Sequence, residues 1–276
     1  MNLNPLTVSG ADTGIMLLQF LARRLNISGK QAKRLLDSRS VFVNRRRVWM
    51  ARHVLEARDQ VEIVSEAPAQ PAGDIPILFR DEDYVIVNKP AGLSSEGPGG
   101  MEQVLRDQLR RPTLQLVHRL DKDTTGCLWC ALNPSAREAA VQLFESRAPL
   151  KVYHALVRGQ MAREDFTISR PLDGQPAVTH VMVLDTRPTA SHIKVKLETG
   201  RTHQVRKHLA GLRHPLLGDS SYAPSGESSP ALRQVPRQML HASVLAFSHP
   251  KTGAPVRAQA PLPADFKRVM KSLKLT

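Results

Sequence analysis

The chain has 276 residues, of which 41% are hydrophobic, 23% charged and 4% aromatic, proportions that exclude a disordered or fibrous protein. Its 39 Lys and Arg outnumber its 25 Asp and Glu, and the resulting charge of +14 favours a polyanionic partner such as RNA or DNA over a membrane. The two cysteines, Cys127 and Cys130, are too few for a disulfide framework or a four-ligand zinc site, which fits a reducing compartment.

The length exceeds that of a single-core domain of roughly 100–200 residues, which predicts one large domain plus a small one. No apolar run approaches the roughly 18 residues that span a bilayer. The start MNLNPLTVSG lacks the basic and apolar segments of a signal peptide. We therefore expect a cytoplasmic protein without a membrane partner, and a monomer.

Residues 1–65 are predicted to form a small α/β unit. From Ile15, MLLQFLARRLN has apolar residues at helical spacing, and Ser28 is suited to cap a second helix, GKQAKRLLDS. VFVN and VEIV read as short strands around a basic turn. A solvated helix face is one explanation of this basic density, but convergence within one small unit favours an RNA footprint. The candidate RNA contacts are Lys30, Lys33, Arg34, Arg45, Arg46 and Arg47.

The order of helix, helix and basic turn resembles the RNA-binding module of ribosomal small-subunit protein four, over SGKQAKRLLDSRSVFVNRRRV. The likeness covers about the first quarter of the chain. The stretch EAPAQPAGD that follows is rich in Pro and Ala and predicts a flexible linker over residues 66–74.

Residues 75–276 are predicted to form an α+β domain. Six short β-type runs, YVIVNK, CLWCAL, VYHALV, THVMVL, HIKVKL and SVLAFS, are separated by turns and by helical stretches such as SAREAAVQLFESR. This pattern favours a large antiparallel or mixed sheet with flanking helices and a central cleft.

Charged residues gather in two segments of this domain. LVHRLDKDTTGCLWCAL places His118, Arg119, Asp121, Lys122 and Asp123 between two apolar stretches. A solvated loop between strands explains a lone H-R-x-D better than a functional site does, since such short matches are frequent. The second segment, LETGRTHQVRKHLAGLRHPLLGDSSY, puts basic groups after a turn at Gly200 and onto a predicted helix, which is typical of phosphate binding.

Together the two segments resemble the RluA-like pseudouridine synthases. The resemblance lies in HRLDKDTTG and GRTHQVRKHLA followed by HPLLGDSSY, and it extends to DEDYVIVNKPAGL, KVYHALVRG and LHASVLAFSHPKTG, in the family's order. It implies an enzyme that isomerises uridines in structured RNA, most of all ribosomal RNA. The departures are the SSEGPGG run, where a His-Pro continuation is more common, and a short PLDGQPAVTH loop.

The resemblance also implies roles for individual residues. Asp121 would be the nucleophile, attacking either the anomeric carbon or the base, and a carboxylate suits this task because it is ionised at neutral pH. Arg206 would pair with Asp121 and hold its carboxylate in one orientation. Tyr153 would stack on the target base and assist proton removal, although a core tyrosine on a strand is the competing explanation.

Three further residues are predicted to contact the RNA or shape its cleft. Arg119 would fill the gap left by the extruded nucleotide, with a simple phosphate contact as the alternative. Lys89 and Arg201 would touch backbone phosphates or structure the cleft.

The sequence favours neither a metal nor a cofactor. In a strand-like CLWC run, positions three apart face opposite sides, so Cys127 and Cys130 are expected to be core residues that do not meet. His203 and His208 are five residues apart, which is the wrong spacing for two ligands on one helical face. GPGGM lacks the following GK[ST] of a phosphate loop. The isomerisation is redox-neutral, so we expect no cofactor.

Two other readings compete with the enzyme. A non-catalytic RNA-binding factor of ribosome assembly would account for the basic first unit and the net charge, and it would leave Asp121 inert. A hydrolase or a thiol enzyme lacks any nucleophile-base pair at recognised spacing.

Overall fold

The structure is a computed structural model. It divides into two compact units, Met1–Ala67 and Pro68–Thr276, which are treated separately below. The predicted linker, residues 66–74, lies mostly outside the described part of the chain. The described residues are 5–37, 41–44, 46–48, 50–63, 73–162, 164–223, 232 and 235–276, without the side chains of Arg34, Asp37, Arg46 and Arg47.

The first unit packs two helices, α1 (Leu17–Arg24) and α2 (Gly29–Asp37), with a four-stranded sheet in the order β1-β4-β2-β3. Its core contains Phe20 and Leu21 of α1, Leu36 of α2 and Val41 and Val61 of the sheet. The two predicted helices and both predicted strands are thus confirmed. The strands are β1 (Leu6–Thr7), β2 (Val41–Val43), β3 (Arg46–Arg47) and β4 (Gln60–Ile63).

Ser28 caps α2 as the sequence predicts. Its Oγ accepts a hydrogen bond from the Gln31 backbone amide at 3.2 Å, and the Gln31 side chain accepts one from the Ser28 amide at 2.9 Å. This reciprocal pair is a capping box, which satisfies two amides that the helix itself leaves without partners.

The second unit is built on a ten-stranded sheet with the order β10-β11-β12-β9-β13-β8-β6-β5, to which β14 adds beside β13 and β7 beside β8. Among the described strands, β8 and β13 run parallel and the other pairs are antiparallel. The strands are β5 (Ile77–Arg80), β6 (Tyr84–Lys89), β7 (Gln115–Leu116), β8 (Thr125–Ala131), β9 (Leu150–Arg158), β10 (Phe166–Ile168), β11 (Thr179–Arg187), β12 (Ala190–Leu197), β13 (Leu240–Ser248) and β14 (Pro255–Gln259).

Apolar layers cover both faces of this sheet. Leu128 and Cys130 of β8 belong to one buried cluster, whereas Cys127 and Trp129 belong to another, because neighbouring residues of a strand point to opposite faces. The predicted α+β class with a large mixed sheet is confirmed. The helices of this unit are α3 (Met101–Leu109), α4 (Pro134–Glu145), α5 (Gln204–Gly211) and α6 (Ala264–Ser272).

The parallel contact between β8 and β13 decides where the site forms. Gly126 of β8 lies opposite Ala242 of β13 and has a φ of +109°, and a Cβ atom there would collide with the Ala242 carbonyl. Only glycine tolerates this combination of close approach and left-handed backbone. Because parallel neighbours begin at the same edge of a sheet, the loops that lead into β8 and β13 come together there.

Hydropathy along the helices gives no candidate for a bilayer span within the described ranges.

Candidate active site

Asp121 lies at the edge where β8 and β13 begin. It starts the turn into β8, and its carbonyl accepts a hydrogen bond from the Thr124 amide at 3.0 Å. Gln238, just before β13, reaches this turn from the neighbouring strand and donates to Thr124 Oγ1 at 2.9 Å. The sequence signal for Asp121 was the charge within HRLDKD, whereas nothing in the sequence singled out Gln238.

The two carboxylate oxygens of Asp121 have different surroundings. Oδ2 accepts hydrogen bonds from Arg206 Nη1 at 3.1 Å and from Gln238 Nε2 at 3.3 Å. Oδ1 has a looser neighbour, His203 Nε2, at 3.7 Å. The side chain is 25% exposed, so a ligand can reach it. One oxygen is therefore fixed by donors, and the other keeps lone pairs available for reaction.

Arg206, on α5, joins two carboxylates. Besides Asp121, it binds Asp219 through Nε at 2.6 Å and Nη2 at 2.9 Å, a two-pronged contact that fixes the plane of the guanidinium. Burial alone would lower the pKa of Arg206, but the hydrogen bonds and charges of Asp219 and Asp121 raise it above its ordinary value. The family resemblance implied the contact between Arg206 and Asp121 that the structure contains, but it gave no role to Asp219.

The backbone around Asp219 is shaped for this contact. Gly218 has a φ of +71°, and a Cβ atom there would collide with the Arg237 carbonyl. Asp219 Oδ1 also accepts hydrogen bonds from the Ser221 amide at 2.9 Å and the Tyr222 amide at 3.3 Å. The HPLLGDSSY motif is thus a support for Arg206, buried behind the nucleophile.

His203 and Tyr222 complete the wall around Arg206. The Arg206 guanidinium lies 5.0 Å from the centre of the Tyr222 ring, and the Tyr222 hydroxyl is 2.9 Å from His203 Nδ1. Burial lowers the pKa of His203 more than the charge of Asp121 raises it, so the imidazole is neutral at neutral pH. The sequence predicted His203 on the helix. In the structure it precedes α5 as the N-cap residue, with a left-handed φ of 56°.

Tyr153 occupies the middle of β9, between Val195 on β12 and Ala242 on β13. It packs against two of the buried clusters while remaining partly exposed. Burial first, and then the negative charge of Asp121, raises the pKa of Tyr153 well above its ordinary value. Its hydroxyl makes no hydrogen bond to any described residue, so the polar tip remains available to a ligand.

The two other arginines of the site are more exposed. The Arg119 side chain is 68% exposed, and its Nη1 lies 3.6 Å from Glu96. Arg201 precedes α5, and its Nε donates to the Pro176 carbonyl at 3.2 Å. Both positions are compatible with contacts to RNA.

Lys89 requires a correction. Its side chain is fully buried, and its Nζ donates to the carbonyls of Pro90, Lys122 and Thr124 at 2.9, 2.8 and 3.1 Å. Three backbone oxygens therefore surround the buried Nζ, and no phosphate can reach it. Of the two roles predicted for Lys89, an RNA contact and a support for the cleft, the structure leaves the support.

In the first unit, Lys30 and Lys33 are exposed on α2, whereas Ala32 and Leu36 of the same helix are buried. Arg45 lies outside the described residues, as do the side chains of Arg34, Arg46 and Arg47.

Cys127 and Cys130 face opposite sides of β8 in separate buried clusters, as predicted. Burial raises the pKa of Cys127 to about 11, so this thiol is not a nucleophile at neutral pH. Among the residues that the structure describes, no three His, Cys, Asp or Glu side chains are grouped as metal ligands.

Several known proteins are similar to this chain in sequence and in fold. The family model described as RNA pseudouridylate synthase matches residues 83–211. An uncharacterised RNA pseudouridine synthase of Bacillus subtilis is 32% identical over 99% of this chain and 99% of its own length. The ribosomal large subunit pseudouridine synthase D of Haemophilus ducreyi is 33% identical over 97% of this chain and 93% of its own. The enzyme of that name in Escherichia coli is 32% identical, with the same coverage.

Two solved human structures are similar as well. RNA pseudouridylate synthase domain containing 4 superimposes with a TM-score of 0.62 and 28% identity, over 73% of this chain and 94% of its own. RNA pseudouridylate synthase domain containing 1 gives a TM-score of 0.59 and 28% identity, over 75% and 98%.

Proposed function

Because this chain belongs to the RNA pseudouridylate synthase family, we propose that it converts specific uridines of large-subunit ribosomal RNA into pseudouridine, with Asp121 as the nucleophile. The family makes it an isomerase, which acts on RNA. The observation that carries the assignment to Asp121 is its place in the site, where its side chain is 25% exposed and Arg206 holds one of its two oxygens.

The reaction exchanges one bond for another at the ribose anomeric carbon. The bond from uracil N1 to C1′ breaks, uracil rotates, and C5 bonds to C1′, while C5 loses a proton and N1 gains one. We assign the attack to Asp121 Oδ1, since Oδ2 already accepts two hydrogen bonds. Attack on C1′ or on the base uses the same oxygen. In the first case C5 displaces the carboxylate from C1′ as the new bond forms, and in the second the carboxylate is eliminated from the base as C5 loses its proton.

Arg206 keeps this nucleophile ionised and oriented. A carboxylate withdrawn from water tends to take up a proton, and a guanidinium 3.1 Å away opposes that. Because Asp219 binds Arg206 through two hydrogen bonds, the guanidinium cannot swing toward an RNA phosphate. Arg206 therefore acts on Asp121 rather than on the RNA backbone.

Tyr153 and Arg119 act on the flipped nucleotide. An enzyme that works on a base inside a folded RNA must first take it out of the stack. We assign the Tyr153 ring to stacking on the uracil and its unpartnered hydroxyl to assisting the loss of the C5 proton. The exposed Arg119, two residues before the nucleophile, is assigned to the gap that the nucleotide leaves.

The choice of ribosomal RNA rests on the relatives named ribosomal large subunit pseudouridine synthase D. The net charge of +14 and the exposed Lys30 and Lys33 support a large RNA partner. We propose that the first unit is an RNA-binding module like that of ribosomal small-subunit protein four and binds part of this RNA. We propose that the protein works as a monomer in the cytoplasm.

The test uses transcripts of large-subunit ribosomal RNA and of transfer RNA, incubated with the full chain and mapped for pseudouridine at single-nucleotide resolution. We expect modification at a few uridines of the ribosomal transcript and none in transfer RNA. Modification of transfer RNA alone would overturn the choice of substrate. Tight RNA binding without any pseudouridine would instead favour a non-catalytic assembly factor.

A further inference from the structure

The loop between β6 and α3 contains residues 94–100 (SSEGPGG), one of the two segments in which the sequence differs from the family pattern that it resembles. It is held firmly at the start of α3, because the Ser94 carbonyl accepts from the Met101 amide at 2.8 Å and the Ser95 carbonyl from the Glu102 amide at 3.2 Å. The loop thus has a fixed anchor from which to contact its surroundings.

The Ser95 side chain points from this loop to the backbone beside the nucleophile. Its Oγ donates to the Leu120 carbonyl at 2.7 Å and accepts from the Leu120 amide at 3.0 Å. Ser95 and Leu120 are both buried, and in the described part of the chain neither backbone group of Leu120 has another partner. One hydroxyl therefore satisfies both backbone polar groups of Leu120, the residue that precedes Asp121.

We propose that Ser95 is a positioning residue, whose hydroxyl fixes Leu120 and thereby aims the Asp121 carboxylate at the reacting nucleotide. This rests on the proposed role of Asp121 as the nucleophile. Arg206 and Gln238 hold the end of the Asp121 side chain, but they do not fix the backbone from which it extends. Ser95 supplies that constraint through its two hydrogen bonds to Leu120. Displacement of a reacting group by about 1 Å is enough to lower a rate by about 100-fold.

Glu96, the next residue of the loop, does not share this role. Its carboxylate is 3.6 Å from Arg119, and both side chains are more than half exposed, so water and salt screen the pair.

The experiment compares full-length chains carrying Ser95→Ala, Ser95→Cys, Ser95→Thr and, as a matched control in the same loop, Ser94→Ala. Ser94 is exposed, and its hydroxyl makes no hydrogen bond to a described residue. Single-turnover pseudouridine formation and RNA affinity are measured below the melting temperature of every variant. A variant that loses rate but keeps its RNA affinity has lost the position of Asp121, whereas a general loss of structure would lower both.

We expect Ser95→Ala to lower the single-turnover rate by about 10- to 100-fold at nearly unchanged affinity, with Ser95→Cys between it and the wild type. Ser95→Thr, which keeps the hydroxyl, restores most of the rate, and Ser94→Ala keeps all of it. Two results would overturn this inference but leave the proposed function standing. One is a Ser95→Ala rate equal to that of the wild type, and the other is a loss of rate in Ser95→Cys and Ser95→Thr as large as in Ser95→Ala. A wild-type chain that forms no pseudouridine would overturn the proposed function and this inference with it.

Discussion

Arg206 and Asp219 form a two-pronged ion pair, with contacts of 2.6 and 2.9 Å, directly behind the carboxylate of Asp121. The pair leaves one guanidinium nitrogen, Nη1, facing Asp121 at 3.1 Å. The direction of that single contact is therefore set by Asp219 rather than by the flexible arginine stem. A planar fork is needed for this, since a point charge cannot bind two carboxylates in fixed directions.

Replacing Arg206 by lysine tests whether the planar guanidinium, which binds both Asp219 and Asp121, is needed for activity. Arg206→Lys keeps the charge but loses the shared geometry, and we expect turnover at saturating RNA to fall by about 10²–10³-fold. RNA affinity changes by less than about threefold, because the guanidinium faces carboxylates and not phosphates. The control is Lys207→Ala on the same helix, whose exposed ion pair with Asp173 lies outside the site. Turnover of Arg206→Lys within about threefold of the wild type would speak against the assignment.

Tyr153→Phe distinguishes the contribution of the aromatic ring of Tyr153 from that of its hydroxyl. The phenylalanine ring still stacks on uracil, so RNA affinity is expected to persist. Turnover falls by about 10²–10⁴-fold, because the hydroxyl that assists proton loss is gone. Rapid-quench measurement of pseudouridine formation checks this, and an unchanged rate would reduce Tyr153 to a stacking platform.

Lys89 predicts a pH dependence of stability. Burial lowers the pKa of Lys89 from its ordinary 10.5 to about 7, against the opposing charge of Asp123. Between these two values the unfolded chain binds the proton and the folded chain does not, so the free energy of unfolding rises with pH. The slope reaches about 1.4 kcal/mol per pH unit and disappears below about pH 7, where both states are protonated.

The measurement is urea unfolding of the wild type and of Lys89→Met at a series of pH values across that window. The difference between the two unfolding free energies should grow in favour of the wild type as the pH rises. Parallel curves would show that Lys89 keeps its proton throughout.

The lysines of α2 predict a salt effect. Each phosphate contact that a Lys makes contributes about 0.7–0.9 to the slope of log affinity against log salt. Lys30→Ala combined with Lys33→Ala should weaken RNA binding and lower that slope by about 1.4–1.8, with little effect on turnover at saturating RNA. The control removes the same charge from α6 with Lys267→Ala and Lys271→Ala. Equal slopes for both double variants would contradict an RNA-binding role for α2.

Local patterns in the sequence were sufficient for most of the fold. The six β-type runs became β6, β8, β9, β11, β12 and β13, since short apolar or alternating runs bounded by turn residues are typical of strands. The sequence did not reveal α3, whose segment MEQVLRDQL contains many polar residues, nor the short strands β7 and β10. Such elements are stabilised by their neighbours more than by their own pattern.

The site was predicted only as far as its motifs extend. Asp121 and Arg206 stand in the two motifs that carry the family resemblance, and that resemblance implied their contact. Gln238 is 117 residues from Asp121, and Ser95 is 25 residues from Leu120. Their contacts arise from the crossing of loops at one sheet edge, which no local pattern encodes. For Lys89 the sequence left an RNA contact open beside a supporting role, because charge in a sequence suggests exposure, and here the lysine is buried.

The most direct test of the central claim is pseudouridine formation by Asp121→Asn on the ribosomal transcript, measured together with RNA affinity. The amide preserves size and polarity but is not a nucleophile, so we expect a rate at least about 10³-fold lower with affinity within about threefold. Asp123→Asn, two residues away, is the matched control and should retain its rate. An Asp121→Asn variant that modifies RNA at more than about a tenth of the wild-type rate would contradict the assignment of Asp121 as the nucleophile.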